Sequence, residues 1–410
     1  MTIRKASVGI GAAAAAMALA TAGCAGGAAT QGGGGGDDEP IRIALVTPQS
    51  GSVAELGSQV RDGVLFAVEE ANANGGIDGR EIEVYEGDTL GTGDGAISAA
   101  QRLVQQDNAK FIVGTIATPV TLAVSQRIDA WDALLFGTTS MGVDLTGKAC
   151  KAGFFRTDMN DSMNTAGLLS WLEDRGVHDW DTMGADYTLG HDAAEGLKGG
   201  LDEWGGAIDK ELYAPLGTTD FGSYISQLDG GEGLLVSETG NDAVQFVKQA
   251  TDFGVFDKYD LVVGNATLTS DVLDAVNSER LIGAWGTANW LPTADVPETQ
   301  AFVEAYAEAN GEAPREYAGA GYVAMQTLFA GVEEAGSVEP SEVRAALEGL
   351  TFTSIQGEVT MRAEDHQLEA PMYIGQVEAD GDGLAFVAQE SIPASVTTPE
   401  ADPACTLPED

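Results

Sequence analysis

The hydrophobic and polar positions alternate in blocks that predict strands followed by helices from Ile41 onward. IRIALVTP is a short, nearly continuous apolar run, the pattern of a strand that is buried on both faces of a parallel sheet. The next stretch repeats apolar residues at helical spacing and ends at Asn74-Gly75-Gly76, a helix-end and turn signal. A second strand, an Ala-rich helix and the strands KFIVG and ALLFGTT continue this order, with a helix predicted over Pro119–Trp131 between the last two. The rhythm predicts an open α/β lobe.

The same rhythm returns after the segment FFRT and predicts a second α/β lobe. The roughly 370 residues that follow the N-terminal region exceed one compact core and suit two lobes. The last third differs, with three helices and then short strands, and Asp380-Gly381-Asp382-Gly383 indicates a hairpin. DGDG is also a fragment of calcium loops, but the closing Glu at the required spacing is absent, which favours the hairpin.

The N-terminus has the layout of a secretory signal. Arg4 and Lys5 precede an Ala-rich apolar run that is too short for a transmembrane span. The run ends in Thr21-Ala22-Gly23-Cys24, which resembles a bacterial lipobox whose Cys is lipidated, with Thr in place of the usual Leu. An ordinary signal cleaved after small residues is the alternative. We predict a signal peptide over residues 1–23 and an extracytoplasmic protein with a membrane lipid anchor at Cys24.

A Gly-rich segment over residues 24–40 follows the predicted anchor and reads as a flexible tether. The formal net charge of the chain is −44. A surface this acidic repels nucleic acid and anionic lipid, so we predict no nucleic-acid partner, and solubility is the simplest reason for the charge.

Two further cysteines, Cys150 and Cys405, remain in the body of the chain. An exported protein is in a compartment where disulfides persist, so pairing of these two is the simplest prediction, with two free thiols as the alternative. A bridge would attach the Pro-rich tail, residues 396–410, to the first lobe.

No catalytic or metal-binding motif stands out. The histidines His178, His191 and His366 form no HExxH pair, and no GxSxG motif is present. The run Gly32–Gly36 has neither a preceding strand nor a following Lys-Ser/Thr, so it is not a phosphate loop. We predict no catalytic residue, no metal and no cofactor, and a protein that is not an enzyme.

The opening IRIALVTPQSGSVAELGSQVRDGVLFAVEEANANGGIDG resembles the leucine/isoleucine/valine-binding protein family, the type I solute-binding proteins of ABC importers. Later marks are the FFRT segment, DFGSYISQL, YAGAGYVAMQ and RAEDHQ. The resemblance implies the type I periplasmic binding protein fold, two Rossmann-like α/β lobes joined by three crossovers near Asp158, Asn289 and Glu364. Lobe 1 would hold residues 41–157 and 289–363, and lobe 2 residues 158–288 and 364–395.

The resemblance also implies ligand-binding residues in the first lobe. Ala117 and Thr118 align with the carboxylate-binding Ser of the family, although the Thr118 hydroxyl also suits a helix cap. Thr139 and Ser140 match the loop that supplies further carboxylate contacts. Met141 stands where the family has its second hydroxyl, so Ser140 or Thr139 must substitute for it.

The remaining implied contacts depart further from the family. Leu56 replaces a Tyr of the branched-chain binders, and Tyr187 is a stand-in for another. The acid that holds the ligand ammonium falls near Asn265, which disfavours a zwitterion unless Glu238 supplies the charge. Tyr317 matches an aromatic wall position, with a core tyrosine as the alternative.

These features predict a monomeric receptor that captures a small molecule and delivers it to an ABC permease. A sensory module of the same fold and an extracellular enzyme are the other two hypotheses. The ligand stays open among amino acids, amides, urea-like solutes and aromatic acids.

Overall fold

The computed structural model describes residues 39–408, and the strands in this range form three sheets. The predictions of a signal peptide, of lipidation at Cys24 and of most of the tether lie outside the described residues. Within the described residues, no helix is both long and apolar enough to cross a membrane.

The first sheet is parallel throughout, with the strand order β2-β1-β3-β4-β5. Its central strands are buried on both faces, as continuous apolar runs require. The predicted helix over residues 119–131 is divided in two, because the chain turns at Gln126 and Arg127. The elements are β1 (Ile41–Thr47), α1 (Ala54–Ala73), β2 (Ile82–Asp88), α2 (Gly93–Gln106), β3 (Phe111–Ile116), α3 (Thr118–Ser125), α4 (Ile128–Trp131), β4 (Leu134–Thr139), a 3₁₀ turn (Val143–Thr146) and β5 (Phe154–Arg156).

The next part of the chain builds the second lobe around five parallel strands in the order β10-β9-β8-β6-β7. The elements are α5 (Asp161–Leu172), β6 (Asp179–Ala185), α6 (Thr188–Trp204), β7 (Ala207–Ala214), α7 (Gly222–Ile225), β8 (Gly231–Ser237), α8 (Gly240–Asp252), a 3₁₀ turn (Phe256–Lys258), β9 (Tyr259–Asn265), α9 (Ser270–Val276), a 3₁₀ turn (Glu279–Leu281) and β10 (Trp285–Ala288).

The chain then returns to the first lobe. Residues of α11 and α12 join Trp290 and Phe302 in the same hydrophobic core as β1, β3 and β4. Three short antiparallel strands form a separate small sheet at this lobe. The elements are α10 (Pro297–Asn310), α11 (Glu316–Ala335), α12 (Pro340–Leu347), β11 (Thr351–Ser354), β12 (Gly357–Met361) and β13 (Leu368–Glu369).

The last strands complete the second sheet as an antiparallel hairpin at its edge. The hairpin turns at Gly381 and Asp382, where the sequence predicts it. The elements are β14 (Met372–Asp380), β15 (Gly383–Ile392) and the short helix α13 (Ala394–Thr397).

The structure confirms the predicted α/β fold with two lobes, since the two large sheets belong to separate hydrophobic cores. The chain crosses between them after β5, after β10 and after β13. The third crossing differs from the expectation near Glu364, because β13 still pairs with β12 and Leu368 and Ala370 are still in the first core. Met372 is the first residue after Ala370 that belongs to a core of the second lobe, so the crossing lies at residues 370–371.

The C-terminal tail runs back from the second lobe to the first. Thr397 of α13 is buried, and Arg362 Nη1 donates a hydrogen bond of 2.6 Å to the carbonyl of Pro399. The structure places Cys150 and Cys405 at disulfide geometry, with the two Cα atoms 5.6 Å apart and a sequence separation of 255. The hydrogen bond from Arg362 therefore holds the tail beside the first lobe, where the two cysteines lie close together.

Candidate functional site

A cavity of about 300 Å³ lies between the two lobes, at the carboxyl ends of the strands of both large sheets. Open α/β sheets bind ligands at this edge, and the volume is in the range of small-molecule sites. The loops after β1, β2, β3 and β4 supply one wall, and the loops after β6, β7, β8 and β9 supply the other. Among the described residues, no group of three or more metal-ligating side chains is present.

Three of the residues predicted on the loops after β3 and β4 line this cavity, namely Ala117, Thr118 and Thr139. Ala117 N donates a hydrogen bond of 3.1 Å to the carbonyl of Thr139, which fixes the two loops side by side. Thr118 Oγ1 accepts a hydrogen bond of 3.0 Å from Gly142 N, so this hydroxyl shapes the wall, and its proton remains available to a ligand oxygen.

Ser140 does not line the cavity. Its side chain is buried against α3, where its Oγ makes a short hydrogen bond with Thr121 Oγ1. Its carbonyl accepts a hydrogen bond of 2.6 Å from Arg156 Nη1, and Arg156 Nη2 donates to the carbonyl of Gly142 at 2.7 Å. Arg156 is fully buried and therefore holds the loop after β4 in place.

In the second lobe, Tyr187 lines the cavity but Glu238 does not. Glu238 is 1% exposed and its Oε1 has no hydrogen-bond partner, and burial raises the pKa of this carboxyl to about 8. Burial, followed by the charges of Asp161, Glu238 and Asp242, raises the pKa of the Tyr187 phenol, which places these acids around it. Glu238 thus lies behind the tyrosine rather than on the wall.

Asn265 is also absent from the wall, although Ala266 and Thr267 beside it are present. The Asn265 side chain points into the second lobe, where its Oδ1 accepts a hydrogen bond of 2.7 Å from Asn164 Nδ2. Its amide therefore joins β9 to α5. Ala266 has φ 53°, and this left-handed turn directs the chain from the strand end toward the cavity.

The cavity wall contains polar side chains that the sequence prediction missed. Asp158 lies on the first crossing and Thr287 and Asn289 at the second, and all three line the cavity. Burial raises the pKa of Asp158 to about 7, although the Met159 peptide N–H and the charge of Arg156 oppose this. A polar residue in a segment that crosses between lobes is a signal that could have found them, because such segments form the cleft floor.

Tyr317 lines the cavity as predicted, and so does Glu316 beside it at the start of α11. Burial, with the charges of Asp271, Asp158 and Glu316 as smaller causes, raises the pKa of the Tyr317 phenol. The same phenol interacts with Thr239 of the second lobe. Tyr317 therefore faces both the first crossing and the opposite lobe.

Apolar side chains make up most of the remaining wall. Leu90 and Leu216 lie on opposite lobes, both line the cavity, and they are 60% and 51% exposed. Leu90 lies in the loop TLGTG and Leu216 in the loop PLGTT, and each loop follows a strand. A single leucine in such a loop is a sequence signal that the prediction of the site did not use. The other large apolar lining residues are Val53, Leu56, Ile116, Met141, Met159, Leu189, Leu268, Trp290 and Phe386.

Direct contacts hold the lobes together over the cavity. Ser270 N and Oγ donate to Glu316 Oε1 at 3.1 and 2.7 Å. Arg315 Nη2 lies 2.7 Å from Asp274 Oδ2, and Asn241 N donates a hydrogen bond of 2.9 Å to the carbonyl of Ser52. Each contact joins a residue of the first lobe to one of the second, so the structure is a closed arrangement.

Comparisons with known proteins agree with this architecture. A family model for periplasmic binding proteins matches residues 40–382. The Leu/Ile/Val-binding protein homolog 4 of Brucella abortus (strain 2308) is 23% identical over 398 residues, which cover 90% of this chain and 93% of that protein. Homolog 8 of the same strain is 25% identical over 364 residues, which cover 83% and 89%.

Solved structures share the fold. The solute-binding protein of an ABC transporter from Rhodopseudomonas palustris BisB5, in complex with 3,4-dihydroxybenzoic acid, gives a TM-score of 0.80 at 21% identity, covering 88% of this chain and 98% of that one. The closed leucine-, isoleucine-, valine-, threonine- and alanine-binding protein from Brucella ovis gives 0.81 at 20% identity, covering 91% and 100%. The chain belongs to the periplasmic binding protein family, as its resemblance to the leucine/isoleucine/valine-binding proteins predicts.

Proposed function

We propose that this protein is the solute-capturing component of an ABC importer. The observation that carries the proposal is the cavity of about 300 Å³ between two lobes that contact each other across it. A ligand in such a cavity touches both lobes only when they are closed. It therefore favours the closed state by its differential affinity, and a permease can recognise that state.

The proposed ligand contacts are Ala117, Thr118, Thr139, Tyr187 and Tyr317, all of which line the cavity. Hydroxyls and phenols at these positions suit a small polar solute. Ser140, Glu238 and Asn265 support the wall from behind and are not proposed as contacts.

The proposal places the monomeric protein outside the cytoplasm, with a lipid at Cys24 and a tether over residues 24–40 that holds the lobes near the permease. The disulfide between Cys150 and Cys405 belongs to the same proposal, because an oxidising compartment preserves it. Mass spectrometry of the mature N-terminus tests the lipid, and peptide mapping without reductant tests the bridge.

Thermal unfolding in the presence of candidate solutes tests the binding function. Amino acids, amides, urea and aromatic acids are added singly to the purified protein after refolding to remove bound material. A solute present at 1,000 times its dissociation constant is expected to stabilise the protein by about 4 kcal/mol. A melting temperature that no solute in these classes raises would contradict the proposal.

A further inference from the structure

We infer that the cleft binds its solute through a cationic nitrogen held at Asp158, with an apolar body that extends toward Leu90 and Leu216. This inference rests on the proposed function, since it names the chemical class of the captured solute. It divides the open ligand classes into those with a cationic nitrogen and those without one.

The charges on the cavity wall are the first observation. Among the described residues that line the cavity, the charged side chains are Asp158 and Glu316, and neither Lys, Arg nor His is present. Both Glu316 oxygens already accept hydrogen bonds from Ser270, at 3.1 and 3.3 Å from its peptide nitrogen. Asp158 is therefore the carboxylate that remains for a ligand.

Asp158 is also without a cationic partner. It is 6% exposed, and its Oδ1 accepts a hydrogen bond of 2.8 Å from Met159 N. The neighbouring guanidinium of Arg156 donates both Nη groups to the carbonyls of Ser140 and Gly142 instead. Within the described residues Asp158 forms no ion pair, and a buried carboxylate is stable as an anion only when it is paired.

Two further polar side chains on the cavity wall have atoms without hydrogen-bond partners, which supports a polar ligand independently of the charge of Asp158. Thr287 is 4% exposed, lines the cavity, and its Oγ1 has no hydrogen-bond partner. Asn289 also lines the cavity, and its Nδ2 has no partner. A hydroxyl can accept from an ammonium, and the amide can donate to an oxygen elsewhere on the same solute. Both groups lie at the second crossing, as Asp158 lies at the first.

The acids behind the wall strengthen the preference for a cation. Asp161, Glu238 and Asp242 surround the Tyr187 phenol, and each is nearly fully buried with an unpartnered carboxyl oxygen. Even where burial keeps such groups partly protonated, they offer no positive charge to an anion. The net charge of −44 adds a long-range attraction for cations and a repulsion for anions.

The shape of the cavity suits an apolar body attached to the cationic end. Leu90 and Leu216 are the exposed apolar residues that the two lobes present at the cavity, and Trp290 and Phe386 are among its other walls. A carboxylate solute without an amine would place its charge among these apolar and acidic side chains. A solute of this kind is therefore expected to bind weakly, and it serves as the negative comparison in the experiment.

The experiment compares three probes that share one phenylethyl body, namely phenylalanine, phenethylamine and 3-phenylpropionate. Isothermal titration at pH 8 with the full mature protein measures their affinities, with leucine, isoamylamine and 4-methylpentanoate as a second set. We expect the amine-bearing members to bind and the acids without an amine to bind at least tenfold more weakly. Asp158→Asn is expected to weaken the amine-bearing probes by roughly tenfold to a hundredfold.

Asp260→Asn is the control, because Asp260 is an exposed aspartate of β9 that does not line the cavity, and it is expected to leave the affinities of all probes unchanged. Equal binding of amines and acids, or an Asp158→Asn protein with unchanged affinity, would overturn the inference and leave the proposed function standing. If no solute in the wider thermal screen raised the melting temperature, that result would contradict both the inference and the proposed function.

The wild-type protein provides a second test that does not depend on the fold of a variant. Arg156, Asp161 and Tyr317 are the titratable groups that interact with Asp158. With the pKa of Asp158 at about 7, a bound cation selects the ionised form, so binding at pH 6.5 releases a proton. Titration in two buffers of different ionisation enthalpy measures this release. Proton uptake, or no exchange at all, would contradict the inference.

Discussion

Buried carboxylates that lack a cationic partner are concentrated around the wall of the cleft that the second lobe forms. Asp161 has no hydrogen-bond partner at either carboxyl oxygen, and Glu238 has none at Oε1. Loss of water disfavours the charged form of such groups, and burial raises both pKa values. The free-energy cost of burying these carboxyl groups therefore depends on pH. This pH dependence can be assigned to single residues.

Glu238→Gln is expected to flatten the loss of stability toward alkaline pH. The pKa of Glu238 rises from 4.5 to about 8 on folding, so the native state binds the extra proton between these values. The unfolded state binds fewer protons in this window, and the free energy of unfolding falls as pH rises through it. The variant lacks this titration and is expected to lose less stability between pH 5 and 8, by on the order of 2–4 kcal/mol.

Urea unfolding at pH 5, 6, 7 and 8 measures the effect. Glu203→Gln makes the same substitution on the exposed face of α6 and is the control. Its free energy of unfolding is expected to change with pH as that of the wild-type protein does. If Glu238→Gln kept the wild-type slope as well, Glu238 would not be the group that titrates.

Sequence reasoning found the cavity residues that follow strand ends and missed those on the crossings. Thr118 and Thr139 lie on the wall because the carboxyl end of a parallel strand fixes where its loop points. Ser140 and Asn265 are next to wall positions but face inward, since adjacent side chains of an extended chain point to opposite sides. A shift of one residue is enough to move a side chain off the site.

At the scale of elements, the packing of α11 on α1 positions one wall of the cleft. A Cβ on Gly63 would lie 1.9 Å from the carbonyl oxygen of Ala318, and one on Gly321 would lie 2.2 Å from that of Val60. The two backbones are therefore in contact without intervening side chains. Tyr317, at the first turn of α11, depends on this close packing for its place on the wall.

Gly63→Ala is expected to destabilise the protein by roughly 1–3 kcal/mol or more, because the two helices must separate to accommodate the methyl group. Gly199→Ala is the matched control, since Gly199 lies in α6 with nothing within 4 Å of an added Cβ. That change is expected to stabilise by about 0.5–1 kcal/mol through helix propensity. Chemical denaturation of both variants measures these changes in the free energy of unfolding. A Gly63→Ala protein as stable as wild type would show that α1 and α11 do not pack this closely.

The elements themselves were largely predictable, because buried parallel strands and amphipathic helices have distinct hydrophobic periods. The predicted boundaries that differ from the structure lie where tertiary contacts determine the ends of the elements. The helix predicted over residues 119–131 is interrupted by a turn at Gln126 and Arg127. The third crossing falls after β13, a strand of two residues that exists through its pairing with β12. Such a short strand has no periodicity of its own to read.

At the scale of the whole molecule, the lobes are joined across the cleft by few polar contacts. The Glu316 carboxylate binds both the peptide nitrogen and the hydroxyl of Ser270 at the start of α9. Glu316 is buried, so this contact is shielded from water, whereas the Arg315–Asp274 pair is more exposed and contributes less. Closure therefore depends most on Glu316.

Glu316→Gln is expected to shift the ligand-free protein toward open conformations, because the neutral amide is a weaker acceptor for the two Ser270 donors. Small-angle X-ray scattering is expected to give a larger radius of gyration than for the wild-type protein. Glu312→Gln, an exposed change on the same connection, is the control and is expected to scatter like wild type. An unchanged radius for Glu316→Gln would mean that the closed state does not depend on this contact.

The proposed bond between Cys150 and Cys405 has a mechanical consequence. It would turn residues 150–405 into a covalent ring that contains the whole second lobe. Tension applied between residue 40 and the C-terminus follows the shortest covalent path, from β1 to Cys150 and across the sulfurs to the tail. The second lobe and all three crossings lie outside this load path. A protein held at its N-terminal side can thus be pulled without force reaching the hinge that opens and closes its cleft.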